Sequence, residues 1–317
     1  MKEIGGYFGL DVGDGRLPHS GAVPVNFGRG GLELILRVRK YRRLWLPSYI
    51  CPSVPRFLDR IGIPHENYAI NDALEPVDIP RVGKADGFLY VNYFGVKNSY
   101  CRKLERSQKN LILDLTQAFH YVPRHADAFN SARKFFPVPD GGFVYFKDKT
   151  FAGELPTSTS FSSCEALLRR ADGDIDGGYK AFKAASERFA NLSAAQMSQL
   201  TRGMLSNLDI RSAYKQRISN YLYLSLELRD SNLLKFKVDD TTAPLVYPYM
   251  VENGAEVKKH LIENKIFCPT YWPGVENMGE SSLGFMERIV FIPLDQRYDC
   301  SDMRHVLDMI ITMRKYL

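Results

Sequence analysis

Little in this 317-residue chain could staple or anchor it. Its five cysteines (Cys51, Cys101, Cys164, Cys268, Cys300) are odd in number, far apart and without a Cys-x-x-Cys pair. That argues against a disulfide framework and a thiolate zinc site, and suits a reducing compartment such as the cytoplasm. The histidines (His19, His65, His120, His125, His260, His305) show no metal-ligand spacing, so no metal is expected. No apolar run approaches the ~20 residues that span a bilayer. The charged start at Met1–Gly6 has no apolar signal core behind it, and neither a membrane span nor a leader is expected. Charge of one sign is also scarce: 42 Lys and Arg against 36 Asp and Glu leave +6. Such an excess permits anionic ligands without calling for nucleic acid. The densest basic run (Arg37, Arg39, Lys40, Arg42, Arg43) has no aromatic interleaving and reads as a solvated helix C-terminus.

What is present is globular. Hydrophobic residues make up 45% and charged residues 25%, enough to build a large domain with a smaller one beside it. Leu44–Pro47, His65–Ile70, Gly87–Gly95 and Asn110–Asp114 read as strands, the last two apolar enough to be buried on both faces. Helices are expected between them, over Ser53–Ile61 and Asn98–Ser107. This alternation predicts an α/β layer fold with a mostly parallel sheet between helices. From Ser163 to Leu228 the composition predicts two or three helices. Strands over Pro244–Val251, Lys265–Thr270 and Arg288–Ile292 then alternate with a helix that Asn253 and Glu256 would box-cap, and with a last helix striped by Met303, Val306, Leu307, Ile310 and Met313. The expected boundary puts residues 1–205 in a large α/β domain and 206–317 in a small α+β domain. Asp239-Asp240 reads as a solvated loop between them.

Three constellations could carry chemistry. Asn26-Phe27-Gly28-Arg29-Gly30-Gly31 precedes Leu32, Ile35 and Leu36 at helical spacing. Glycines there let backbone N–H groups approach an anion at a helix N-terminus, although a plain glycine turn would look the same. Asp114-Leu115-Thr116-Gln117 follows a buried strand, where ligands of open α/β sheets bind; the carboxylate could equally cap the turn. Lys134 comes 20 residues after Asp114 and is followed by Phe135, Phe136, Pro137 and Gly141-Gly142. A surface lysine is the default, but one in an apolar setting can act as an amine nucleophile. His120 reads as structural.

In this order the segments resemble the DegT/DnrJ/EryC1/StrS family of pyridoxal-phosphate sugar aminotransferases over nearly the whole chain. Asn26–Leu36 looks like the family's phosphate segment, and Leu46–Pro52 like its Pro-Ser-aromatic segment. Asp114 and Gln117 match Asp-x-Ala-Gln, and Lys134 with Gly141-Gly142 matches the Schiff-base lysine and its trailing glycines. Tyr247-Pro248, His260–Ile266, Tyr271–Pro273 and Ile292–Tyr298 resemble the C-terminal motifs. The resemblance implies the fold-type-I PLP-transferase architecture, with pyridoxal 5′-phosphate (PLP, or PMP in the amine form) as cofactor. It implies an amino group moving from an amino acid, glutamate by family habit, to a nucleotide-linked keto sugar through a Lys134 imine. The catalytic residues would be Lys134 and Asp114, with Gly28, Arg29, Gly30, Tyr49, Gln117 and Ser131 completing the cofactor site of a homodimer. Two departures stand out. Thr116 occupies the usual alanine position, and Cys51 occupies that of a ring-stacking aromatic, which leaves Tyr49, Tyr93 or no ring to stack. The family's Asn-x-Arg segment is not evident between Lys134 and Ser206. The alternatives are a non-catalytic PLP-binding regulatory or assembly protein, or a sugar dehydratase; relatives of the latter kind replace the lysine.

Overall fold

The computed structural model describes residues 4–146, 155–237, 242–274 and 280–314; Asp239-Asp240 lies outside them. The chain runs β1 (Val23–Val25), α1 (Gly28–Arg39), β2 (Arg43–Pro47), α2 (Ser53–Arg60), β3 (His65–Tyr68), β4 (Asp86–Val91), α3 (Asn98–Ser107), β5 (Leu111–Leu115), β6 (Asp127–Asn130) and β7 (Gly142–Tyr145). Then come α4 (Glu165–Ala171), α5 (Ile175–Phe189), α6 (Gln199–Ser206), α7 (Ile210–Leu228), β8 (Val246–Met250), α8 (Gly254–Glu263), α9 (Glu280–Arg288), β9 (Ile289–Pro293) and α10 (Cys300–Arg314).

Seven strands form one sheet in the order β1-β7-β6-β5-β4-β2-β3, in which β7 alone runs against its neighbours. Every residue of β4 and β5 is buried, because parallel strands with crossover helices on their faces have no wet side. Register aligns Val91 with Asp114 and Asp114 with Phe129. The carboxyl ends of β4, β5 and β6 therefore open onto one edge, and that edge positions the site.

The second sheet is the antiparallel pair β8–β9. Its core takes Tyr221 and Leu224 from α7, Val257 and Leu261 from α8, and Met303, Val306, Leu307 and Ile310 from α10. The expected α10 stripe is thus buried, with Met313 packed at its margin. The two sheets are not independent. Phe94 packs against Phe291 with ring centroids 4.8 Å apart and planes tilted by 49°, and Leu245 N–H donates to Phe94 O at 2.8 Å.

Several local expectations are corrected. The stretch predicted to hold two or three helices holds four, α4 to α7. Lys265–Thr270 is not a strand. Lys265 takes a left-handed φ of 63°, and the N–H groups of Lys265 and Ile266 fold back onto Ile262 O and Leu261 O to close α8. Asn253 precedes α8 but its side chain makes no capping bond. The basic run does end α1, yet it is less solvated than expected, since Arg39 bonds Asp127 through two nitrogens and Arg43 bonds Glu66 and Asp86. Among the described residues, no helix is long and apolar enough to cross a membrane.

Candidate active site

Asp114 stands at the carboxyl end of β5 and is 4% exposed. Burial is the largest influence on its carboxyl and pushes the pKa up; the charge of Lys134 and hydrogen bonds from Thr116 pull the other way. Its Oδ1 accepts from Thr116 N–H at 2.8 Å. A carboxylate in so dry a place calls for a cation or a strong donor beside it. Lys134 meets that need. It closes the short 3-10 turn Ala132–Lys134 after β6, and its Nζ donates to Thr116 Oγ1 at 3.0 Å. One threonine thus lies between amine and carboxylate.

The apolar setting expected around Lys134 is not found. Its side chain is exposed, while Phe135 and Phe136 turn into the core. The turn is fixed from below: Ala132 N–H donates to Gly141 O at 2.9 Å, and Gly141 N–H to Asn26 O at 2.6 Å. Gly141 has a φ of 100°, in the left-handed region that favours glycine. A Cβ at Gly142 would lie 2.5 Å from Asn130 O, so the two glycines let β7 approach the Lys134 loop.

The N-terminus of α1 faces the same edge. Phe27 offers no side-chain cap and the first turn holds no acid. The first i→i−4 bond is from Gly31 N–H to Phe27 O, at 3.1 Å. The amides of Gly28, Arg29 and Gly30 precede it and suit an anion. A Cβ on Gly28 would meet Thr116 Cγ2 at 2.9 Å and Asn130 O at 3.2 Å. Gly28 therefore abuts Thr116, and Ser131 follows Asn130 on the same rim.

Gln117 is fully buried. Its Oε1 accepts from Phe94 N–H at 2.9 Å, while its Nε2 has no partner among the described residues. An orphaned buried donor costs about 1–3 kcal/mol, and a ligand oxygen would satisfy it. A buried carboxylate, a reachable amine, an orphaned amide and an uncapped helix N-terminus are the donor set that a phosphorylated pyridine aldehyde requires. The residues fit pyridoxal phosphate.

Two expectations change here. Tyr49 is fully buried: its ring stacks on Tyr93 at 5.7 Å, packs against Trp272 and Phe285, and its hydroxyl donates to Tyr271 O. Tyr93 is equally buried and donates to Tyr49 O at 2.6 Å. Neither offers a free face, so neither stacks a ligand ring in this arrangement. Arg29 is half-buried, and desolvation, with the nearby charge of Arg60, holds its pKa below the ordinary guanidinium value.

Gly30 is the second. Its missing Cβ points inward, 2.5 Å from Asn26 Oδ1 and 3.4 Å from Ala194 Cα. Gly30→Val, which anion approach alone would make a change in ligand affinity, should instead destabilise the cofactor-free protein by about 1–3 kcal/mol through overpacking. Urea unfolding of the variant checks this; an unchanged midpoint would refute it. Close packing thus accounts for the absence of a side chain at Gly30, and also at Gly31, whose Cβ would lie 2.9 Å from Phe129 Cβ.

His120 sits among Phe119, Phe135, Phe136 and Tyr214, and burial lowers its pKa to about 3. It is a neutral packing residue. Two contributors went unsingled in the sequence. Gln296 Nε2 donates to Phe135 O at 2.8 Å, and the fully buried Arg217 donates through Nε to Gln296 Oε1 at 2.9 Å. The resemblance over Ile292–Tyr298 contained Gln296 but gave no reason for it; Arg217 left no signal in a helix of mixed composition.

Similarity to known structures places this geometry in a fold family. An aminotransferase of the DegT DnrJ EryC1 StrS type from Brucella abortus superposes with a TM-score of 0.60 at 14% identity, covering 92% of this chain and 85% of that one. Spr1654 of Streptococcus pneumoniae, described as a sugar aminotransferase and solved in its PLP form, gives 0.62 at 13% identity over 93% and 88%. DesI, solved in the presence of its TDP-sugar product, gives 0.61 at 17% over 91% and 79%. The chain has the fold of these proteins, the fold-type-I aminotransferase architecture expected from its motifs. No protein-family model and no curated protein matches it by sequence.

Proposed function

We propose that this protein is a PLP-dependent aminotransferase that moves an amino group from an amino acid, glutamate in the first instance, to a nucleotide-linked keto sugar. The observation that carries the reading is the Lys134–Thr116–Asp114 line at the end of β5, with the unpaired Gln117 amide beside it. The fold shared with DesI and Spr1654 is consistent with it.

Bound there, the cofactor supplies an aldehyde that takes up amino groups and a ring that delocalises electrons. The rest falls to this chain. Asp114 would face the ring nitrogen and hold a proton on it, a task suited to a carboxylate shielded from water. Gln117 Nε2 would donate to a ring oxygen, and the amides of Gly28–Gly30 with Ser131 would hold the phosphate. Lys134 would anchor the aldehyde and, once released, carry the proton at Nζ.

A homodimer belongs to the same reading. Ile175, Tyr179 and Phe182 form an exposed stripe on α5 at 60%, 59% and 47% exposure, which a second subunit would cover. A cytoplasmic site suits the free cysteines.

The decisive experiment incubates the protein with pyridoxal 5′-phosphate, reduces it with borohydride and maps the labelled peptide. Label on Lys134 is expected; label confined to another lysine would sink the assignment. Addition of glutamate should then bleach the unreduced adduct, and a panel of nucleotide keto sugars should restore it with release of an amino sugar. Failure of both half-reactions would leave no aminotransferase.

A further inference from the structure

We propose that Thr116 is the positioning residue of this site, its hydroxyl holding the Lys134 ammonium while its backbone N–H holds the Asp114 carboxylate, so that the two form one preorganised pair before the cofactor arrives. The inference rests on the cofactor reading above and adds a residue that neither the fold nor the motif assigns, since alanine is the usual occupant.

Four observations carry it. Lys134 Nζ donates to Thr116 Oγ1 at 3.0 Å. Asp114 Oδ1 accepts from the Thr116 backbone N–H at 2.8 Å, so the same residue holds both groups. The backbone bond already satisfies the turn after β5, so the hydroxyl is not needed to cap it. Finally, the rotamer is sterically held. Thr116 Cγ2 lies where a Cβ on Gly28 would come within 2.9 Å, so the methyl fills the space that glycine leaves and the hydroxyl points the other way.

The physical consequence concerns an exposed lysine. Four rotatable bonds let Nζ sample a wide volume, and fixing so long a side chain costs up to about 2 kcal/mol of rotamer entropy. A charge-assisted hydrogen bond offsets much of that before any ligand binds. An alanine in this place would leave Lys134 to find the aldehyde unaided.

The test separates anchoring from docking. Thr116→Val keeps the methyl contact and shape but removes the hydroxyl; Thr116→Ser keeps the hydroxyl. Adduct formation with pyridoxal 5′-phosphate is followed in stopped flow, and docking by the affinity for 4′-deoxypyridoxine 5′-phosphate, which has no aldehyde. In Thr116→Val the adduct should form about tenfold more slowly, and in Thr116→Ser within about threefold of the parent, the size expected for one hydrogen bond to a charged group. The deoxy analogue should bind all three proteins alike. A parental adduct rate in Thr116→Val overturns the proposal. So does a Thr116→Ser rate as slow as that of valine, or a loss of analogue affinity that accounts for the whole effect. If the parent itself acquires no borohydride-stable label on Lys134, the cofactor reading fails instead, and the two failures are distinguishable.

Discussion

Asp114→Asn will lower transamination by about 100-fold or more, as losses of preorganised charge do, while the cofactor-free variant at pH 7 melts no lower than the parent. The two halves have one cause. Burial raises the Asp114 pKa, so the folded protein binds this proton more tightly than the unfolded chain does. The stability this residue contributes is greatest in acid. It declines as pH rises from the unfolded carboxyl value, about 3.9, through the raised folded one. At pH 7 the charged form sits in a dry site against its preference. Asparagine removes that charge and can still accept from Thr116 N–H. Melting curves of both cofactor-free proteins between pH 4 and 8 give the check: the variant should lack the parental decline attributable to this group. A variant that unfolds much more easily at pH 7 would make Asp114 a structural residue.

Arg217→Ala should have the largest effect on stability, about 3–5 kcal/mol by denaturant titration, because it strips the partner from several buried groups at once. The guanidinium donates to Gln296 Oε1, Pro244 O and Leu245 O, and lies 4.7 Å from the centre of the Phe135 ring. Gln296→Leu loses only the bond to Phe135 O and the acceptor for Arg217, so it should lose less, about 1–3 kcal/mol. A loss under 1 kcal/mol for Arg217→Ala would show that solvent or rearrangement satisfies those acceptors.

Much of the large sheet could be read from the chain because its central strands are continuous apolar runs. Gly87–Val91 and Leu111–Leu113 have no other reading once Asn98–Ser107 is seen as a helix between them. β6 and β7 were missed for the opposite reason. Asp-Ala-Phe-Asn is too short and too polar at its ends to stand out, and its burial comes from α1 and β7, which local pattern cannot foresee. At the site, Asp114 and Lys134 were legible through chemistry and order. What Lys134 touches was not. The apolar residues that follow it pack inward, so sequence neighbours misreported its surroundings. Gly30 misled in the same way, since an absent side chain does not reveal on which side the room is needed. Tyr49 was placed beside the ligand by its motif, and only the aromatic cluster formed with Trp272 and Phe285, far off in sequence, withdraws it.

The contacts that join the two sheets bear on how the molecule comes apart. Phe94 of the first sheet's edge meets Phe291 of the second, Tyr49 is roofed by Trp272 and Phe285, and Gln296 holds the backbone of the residue next to Lys134. A cut at 205/206 would fall within α6 and leave those aromatic faces bare. Neither fragment should fold as a faithful half. Heating the whole chain should give one cooperative transition, and limited proteolysis should find no stable core ending near residue 205.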